Sequence, residues 1–284
     1  MKTLKPLALT LIFLLIGSSA QAQFWKKLTK KAEQAVEEVI VRKTSDKAAE
    51  MAEKSMDKIF DIDFSGPQVD PSILPERYDF EYKYTMQMKH KKGNMNMTYY
   101  LKPDAKYFGS QPEMEDNPMA NGMFMLFDQE LEIIVILMES ENGKSGHVLK
   151  SPTADIGEMA EQETTNINDY TFTELSTKTI LGYECQGFQM ENDDMKMTMY
   201  IAMDSPVSFN QVFGDHMKTT PKGFDPKWLK KADNSIVMEM DMIHKKKEKY
   251  NMTMTCVALE KYPKTVVVSD YEFMKLGGDI SEID

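Results

Sequence analysis

Methionine occurs at every second position in several stretches of this chain, and this alternation constrains the fold more than any other sequence feature. Residues 195–199 read Met-Lys-Met-Thr-Met, and residues 238–242 read Met-Glu-Met-Asp-Met. Side chains two positions apart lie on the same side of a β-strand, whereas an amphipathic helix needs apolar steps of three and four. The alternation therefore predicts strands with one apolar and one polar face.

Such strands come in pairs separated by short polar turns, which predicts β-hairpins. The three hairpins are expected at 82–101, 183–203 and 236–259, with turns at 90–93, 191–194 and 245–249. Further strands are expected at 123–127, 131–138, 147–149, 170–175 and 265–271. Because short turns leave no room for crossover helices, neighbouring strands should be antiparallel. The expected fold class is mainly β (α+β): a curved antiparallel sheet or open half-barrel built from hairpins, preceded by an amphipathic N-terminal helix.

Composition divides the chain into five segments. Residues 1–22 have the pattern of a secretory signal peptide, because Lys2 and Lys5 precede an apolar stretch that is too short to span a bilayer. Residues 23–64 are rich in Lys, Glu and Ala and predict an amphipathic helical segment. Residues 65–77 predict a linker, 78–276 the antiparallel β domain and 277–284 a flexible tail. We therefore expect an exported protein, periplasmic or extracellular.

Charge and cysteine content exclude several classes of protein. The chain has 45 acidic and 34 basic residues and a net charge of -11, which argues against a nucleic acid partner. Two cysteines are too few for a disulfide-dense scaffold or a four-thiolate zinc site. Cys185 and Cys256 both fall in predicted strands and could form a disulfide in an oxidising compartment. The sequence has no common catalytic motif and its His residues are scattered singly, so we expect neither an enzyme nor a cofactor.

The predicted apolar faces are lined mainly by methionine, although Val and Ile have the higher β-propensity. Methionine is unbranched, flexible and polarisable, and it suits a surface that repacks around variable partners. We therefore expect a non-enzymatic binding protein for a lipophilic ligand, such as a lipid, or for an acylated protein. The candidate ligand-lining residues are Met86, Met88, Met95, Met97, Tyr99, Met195, Met197, Met199, Met238, Met240, Met242, Met252 and Met254.

Two other interpretations of the same face are open. The methionines can form an ordinary sealed core, and the protein is then an envelope protein–protein interaction module. Alternatively, paired thioethers select Cu(I), and 193–199 is the best segment for it, although no His lies near it in sequence; no metal ligand is assigned. Lysines at 26, 27, 30 and 31 also give the N-terminal helix a basic start that can contact the envelope. The oligomeric state is left open.

Three stretches carry a resemblance to a known family. They are 78–103, which begins Tyr-Asp-Phe-Glu-Tyr, 178–202, which contains Ile180-x-Gly182-Tyr183-x-Cys185, and Val268-Ser-Asp-Tyr271. Together they resemble the uncharacterised secreted bacterial family known as domain of unknown function 4412. That family is similar in outline to the LolA-type periplasmic lipoprotein carriers, so the resemblance implies an open half-barrel closed by helices, with an apolar cavity for acyl chains. No carrier motif is matched residue by residue, so no functional residue is carried over.

Overall fold

The computed structural model describes residues 67–91, 93–114, 122–141, 143–151, 170–209 and 234–273. Within these ranges twelve strands form one sheet. The strands are β1 (Arg77–His90), β2 (Gly93–Leu101), β3 (Tyr107–Met114), β4 (Met123–Asp128), β5 (Ile133–Ser140), β6 (Gly143–Lys150), β7 (Thr171–Ile180), β8 (Tyr183–Glu191), β9 (Met195–Ala202), β10 (Ile236–His244), β11 (Met252–Val267) and β12 (Glu272–Phe273). Short 3₁₀ turns occur at Pro71–Ile73, Glu248–Tyr250 and Val268–Asp270.

The strand order is β12-β6-β5-β4-β3-β2-β1-β11-β10-β9-β8-β7, so the sheet is open. Neighbouring strands are antiparallel except for the short parallel pair β12 and β6. The predicted mainly antiparallel β class is confirmed, as are the three hairpins β1–β2, β8–β9 and β10–β11. The strand predicted at 265–271 is wrong in its bounds: β11 continues to Val267, and a 3₁₀ turn separates it from β12. Strand β3 was not expected from the sequence, because Gly109 and Pro112 interrupt its alternation.

One half of the sheet curls over the face opposite the methionines. Val267 at the end of β11 pairs with Arg77 of β1, and Glu272 of β12 pairs with Ser145 of β6. In a flat sheet β11 and β12 would lie seven strand spacings apart, about 34 Å. The four residues between them give five Cα–Cα steps, which reach only about 18 Å. The sheet must therefore bend so that β12, which follows β11 in the chain, can pair with β6.

Register shifts supply part of this bending. They occur between Thr85 and Met86 where β1 meets β11, between Val237 and Glu239 in β10, and between Leu175 and Lys178 in β7. An extra residue in one strand of a pair bends that strand and increases its twist. In β11 the shift falls at Val257, and it lets both Cys256 and Leu259 contact the methionine core.

The two faces of the sheet carry two separate apolar clusters. The larger contains the predicted methionines and reaches from Leu149 on β6 to Phe172 on β7. The smaller lies on the opposite face and packs Leu126 and Val135 against Tyr78. Strands β4 and β5 contribute to both clusters, which explains why 133–137 is an unbroken apolar run instead of an alternating one.

The expected signal peptide at 1–22, the helical segment at 23–64 and the tail at 277–284 lie outside the described residues. Within the described part of the chain, no helix has the length and apolar character needed to cross a membrane.

Candidate functional site

The candidate methionines are aligned by strand pairing into a continuous row across five strands. Register pairs link Met95 to Met88, Met88 to Met254, Met254 to Met240, and Met240 to Met199. We call these five residues the methionine row. Its ends lie four strand spacings apart, about 19 Å along the sheet. A second line of pairs runs beside it through Met252, Met242, Met197 and Met190.

All thirteen candidate ligand-lining residues lie in one cluster, which we call the methionine core, and all are buried. Their exposed fractions run from 0 to 4%. The structure thus brings together Met86, Met88, Met95, Met97, Tyr99, Met195, Met197, Met199, Met238, Met240, Met242, Met252 and Met254. A side chain that a water-sized probe cannot reach is packed against other atoms, so these residues form a filled core in this conformation.

An open pocket lies at one end of the methionine core, and we call it the mouth pocket. It has a volume of about 460 Å³. The residues around it are Tyr82, Tyr183, Asp204, Ser205, Pro206, Leu259, Glu260 and Lys261. Tyr82, Tyr183 and Leu259 are half-buried and pack directly against the methionine core. The floor of the mouth pocket is therefore the outer layer of that core.

The mouth pocket also shows how the second half of the sheet is shaped. Tyr82 is on β1 and Tyr183 is on β8, four strand spacings apart in the sheet order. Flat strands would place their backbones about 19 Å apart, yet both residues line one pocket of modest size. Strands β1, β11, β10, β9 and β8 therefore curl with the methionine face on the inside, as a half-barrel.

Polar side chains line much of the mouth pocket: Asp204, Ser205, Glu260 and Lys261, together with the phenols of Tyr82 and Tyr183. The Glu260 carboxylate lies 3.0 Å from the ammonium group of Lys83. The buried Ser205 hydroxyl donates to the carbonyl of Val207 at 2.7 Å. Burial raises the pKa of Tyr183, with smaller contributions from Tyr82 and Cys256, so its phenol stays protonated at neutral pH. The mouth pocket thus combines phenols, two carboxylates and a lysine with the apolar side chains of Pro206 and Leu259.

Sequence reasoning missed the mouth pocket. Tyr82 has the same strand parity as Met86 and was placed on the apolar face, but nothing in the pattern indicates that Tyr183 comes close to it. The pairing of Tyr82 with Lys261 depends on a register shift in β11 that short-range alternation does not reveal. One signal was available: Tyr183 lies two residues before Cys185, so strand parity places it on the same side of β8 as a core residue.

The two cysteines are buried and free in this structure. The Cys185 thiol lies 3.4 Å from the carbonyl of Tyr183, and the Cys256 thiol lies 3.3 Å from that of Ala258. Burial raises the pKa of Cys185 and raises that of Cys256 to about 12, so neither is a ready thiolate. A disulfide between them stays a prediction.

Strand pairing brings a His residue next to the segment considered for copper, which the sequence separation did not indicate. His244 pairs in register with Met195 and is buried. However, its Nδ1 accepts hydrogen bonds from the backbone N–H groups of Lys246 and Lys247, at 3.2 and 3.0 Å. Because Nδ1 accepts these bonds, the neutral ring carries its proton on Nε2. Neither ring nitrogen then has a lone pair available for a metal. Copper binding stays a prediction, and this His geometry does not favour it. The described residues contain no group of three or more His, Cys, Asp or Glu that could hold a metal ion.

Several solved structures are similar to the chain at low TM-score. PNGF-II aligns at a TM-score of 0.32 and 9% identity over 68% of this chain and 30% of its own, so this chain spans less than a third of that protein. An uncharacterised conserved protein from Thermus thermophilus aligns at 0.35 and 11% identity, over 69% of this chain and 90% of its own. A LolA superfamily protein from Nitrosomonas europaea aligns at 0.23 and 8% identity, over 66% and 87%. TM-scores of this size carry no inference about fold or function.

No curated protein matches the chain. The model of one protein family does match, over residues 80–258. This range is more than half of the 284 residues and contains every residue of the methionine row. The expected resemblance is therefore confirmed, and the chain belongs to the family described as "Domain of unknown function (DUF4412)".

Proposed function

We propose that this protein is an exported, non-enzymatic binding protein for a lipophilic ligand: an acyl chain, free or attached to a lipid or protein. The ligand enters at the mouth pocket and lies against the methionine face. The observation that carries the proposal is the contact between an open pocket and a methionine core, made by Tyr82, Tyr183 and Leu259. Ligand sites are commonly apolar concavities of about 300–1,000 Å³, a range that includes the mouth pocket.

The free energy of binding would come from apolar burial. Each CH₂ group of an acyl chain that leaves water contributes about 0.8 kcal/mol. A chain longer than the mouth pocket must displace methionine side chains from their packed positions. Methionine has three rotatable bonds and repacks more readily than the branched Val or Ile. The residue type that is unexpected in strands is therefore the one that this mechanism needs.

A fluorescent fatty acid, titrated into delipidated protein, tests the proposal. We expect saturable binding that falls at least tenfold in Leu259→Gln, because this change places an amide against the floor of the mouth pocket. Leu259→Trp should give a similar loss by filling the space without adding a buried amide.

Val257→Gln is the matched control, since Val257 lies on the same strand but is 45% exposed and does not line the mouth pocket. Its affinity should stay within about twofold of wild type, and thermal unfolding should show that all variants are folded. Absence of saturable binding in the wild type would contradict the proposal, and so would equal losses in Leu259→Gln and Val257→Gln.

A second function has an observation of its own. The methionines of the row are no more than 4% exposed, as in a core that never opens. In that case the β domain is a scaffold and the protein is an interaction module of the envelope. Protein purified from its own envelope and weighed by native mass spectrometry separates the two: a bound lipid mass favours the carrier, and a bound protein without lipid favours the module.

A further inference from the structure

Two hairpin turns at the end of the sheet away from the mouth pocket are strongly basic. Residues 89–92 read Lys-His-Lys-Lys and residues 245–249 read Lys-Lys-Lys-Glu-Lys, so nine residues contain seven lysines in a chain with a net charge of -11. The fold places 89–91 beside 245–249, because β1 pairs with β11 and His90 lies opposite Met252. The pairing of β1 with β11 therefore brings the lysines of the two turns together.

A shallow pocket of about 710 Å³ lies between these turns, and we call this region the hairpin-end surface. Its cationic groups are Lys89, Lys91 and Lys249, with His90 beside them, and its carboxylates are Asp241 and Glu248. An apolar side chain stands among these charges: Ile243 is 44% exposed. The surface therefore combines a net positive charge with an exposed apolar group.

The neighbouring lysines are divided between two roles. Lys245 lies 2.7 Å from the Glu191 carboxylate, and Lys246 is paired with Asp194, so these two charges are largely neutralised by the β8–β9 turn. Lys249 stays at the hairpin-end surface, with its ammonium group 4.4 Å from the centre of the Tyr250 ring. Lys89 and Lys91 lie on the adjacent hairpin. Lys89, Lys91 and Lys249 therefore line the same pocket as Ile243.

We propose that the hairpin-end surface docks the protein on an anionic lipid membrane. Clustered lysines are attracted to anionic headgroups, and an exposed aliphatic side chain can enter the interfacial layer. A long polyanion such as nucleic acid offers no apolar layer for Ile243, whereas a lipid surface does. Charge complementarity together with Ile243 favours a lipid surface over an acidic protein or a soluble anion.

This docking site is separate from the mouth pocket. Lys89 and Tyr82 are seven residues apart on one strand, about 23 Å. A protein attached through the hairpin-end surface would hold the mouth pocket away from that membrane. The proposal therefore does not depend on the ligand of the mouth pocket and can be tested without it.

Vesicle flotation of the full chain tests docking directly, with vesicles of phosphatidylglycerol and phosphatidylcholine in a one-to-one mixture and of phosphatidylcholine alone. We expect binding to the anionic vesicles only, and weaker binding as salt rises. Lys89→Gln with Lys91→Gln and Lys249→Gln should weaken it by about 100-fold, since each lysine near an anionic surface contributes roughly fivefold. The double variant Lys89→Gln with Lys91→Gln keeps the contact between Lys249 and Tyr250, and its binding should weaken by about 25-fold. Ile243→Ser should weaken binding at high salt as well.

The matched control neutralises three lysines that line neither the hairpin-end surface nor the mouth pocket: Lys102, Lys106 and Lys150, each to Gln. This control has the same net charge as the triple variant, and its binding should stay within about threefold of wild type. Absence of binding to anionic vesicles at low salt would overturn the proposal. It would also be overturned if the control lost as much as the triple variant, or if inorganic phosphate at millimolar concentration released the protein at constant ionic strength, which would assign the site to a soluble anion.

Discussion

Met254 lies in the middle of the methionine row, between Met88 and Met240, and is fully buried. Met254→Ala should lower the free energy of unfolding by about 2–5 kcal/mol, because it leaves a cavity among closely packed side chains. Met254→Leu nearly conserves the volume and should cost less than about 1.5 kcal/mol. Urea denaturation measures both changes.

Thr253→Ala is the control for Met254, since the neighbouring position points to the other side of β11 and is only half-buried. It should cost about 1 kcal/mol or less. An alanine at 254 that cost no more than the alanine at 253 would show that the methionine row is not packed as described.

At this scale the sequence was informative about side-chain direction. Alternation placed Met86, Met197 and Met240 correctly on one apolar face, because the two-residue period of a strand is fixed by backbone geometry. It could not indicate that Met88 meets Met254, or that His244 meets Met195, because register between distant strands depends on the whole sheet. The individual methionines could be identified from the sequence, but their alignment into one row could not.

Strand β12 is held at the sheet edge by one close contact. The Phe273 ring occupies the place where a side chain at Gly146 would begin: a Cβ built there would lie 2.8 Å from Cδ1 and 2.9 Å from Cζ of the ring. Gly146→Ala should displace Phe273, release β12 from β6 and cost about 1–3 kcal/mol of stability. Hydrogen exchange at 271–273 should accelerate.

Ser145→Ala provides the comparison, because it changes the adjacent residue of β6 and leaves the space under the Phe273 ring untouched. Hydrogen exchange at 271–273 should then match wild type. Unchanged protection in Gly146→Ala would mean that β12 is anchored by other contacts.

Hairpins with short polar turns were predictable because turn and alternation are both local. The β7–β8 turn shows the limit: Ile180 pairs with Tyr183, and the two residues between them, Leu181 and Gly182, both have positive φ. Glycine adopts that conformation readily, but leucine rarely does, so propensity alone would not place Leu181 there. Strand β12 was missed for another reason, since its pairing with β6 depends on the curl of the sheet.

The whole molecule carries several buried tyrosines whose phenols resist ionisation. Burial raises the pKa of Tyr84 and of Tyr99 above the ordinary value of 10.0, and both side chains are fully buried. The folded state therefore keeps protons that the unfolded state loses above about pH 10. Stability should be unaffected by these groups below pH 10. Above it, stability should fall by about 1.4 kcal/mol per pH unit for each such tyrosine.

Tyr99→Phe isolates one of these groups. Its free energy of unfolding, measured between pH 9 and 11.5, should decline less steeply than that of wild type above pH 10, because one fewer proton is released on unfolding. Identical slopes for the two proteins would contradict the burial of the Tyr99 hydroxyl.

The open antiparallel sheet of the whole molecule followed from short turns and strand number, but its two curls did not. One curl depends on the four-residue link from β11 to β12, and the other brings Tyr82 to Tyr183 across four strand spacings. Both are consequences of register shifts and long-range pairing, which the local pattern does not encode. The mouth pocket exists because of the second curl, and for this reason it was absent from the sequence-based site.

Methyl NMR of protein carrying ¹³C-labelled methionine methyl groups tests the central claim most directly. The row methyls are assigned by single Met→Leu variants, and the delipidated protein is titrated with unlabelled dodecanoic acid. The signals of Met88, Met240 and Met254 should shift and saturate together, because the acyl chain repacks the row. Fixed signals of these three methionines throughout the titration would contradict binding of the acyl chain against the methionine row. This holds whether or not the fluorescent fatty acid binds in the separate assay.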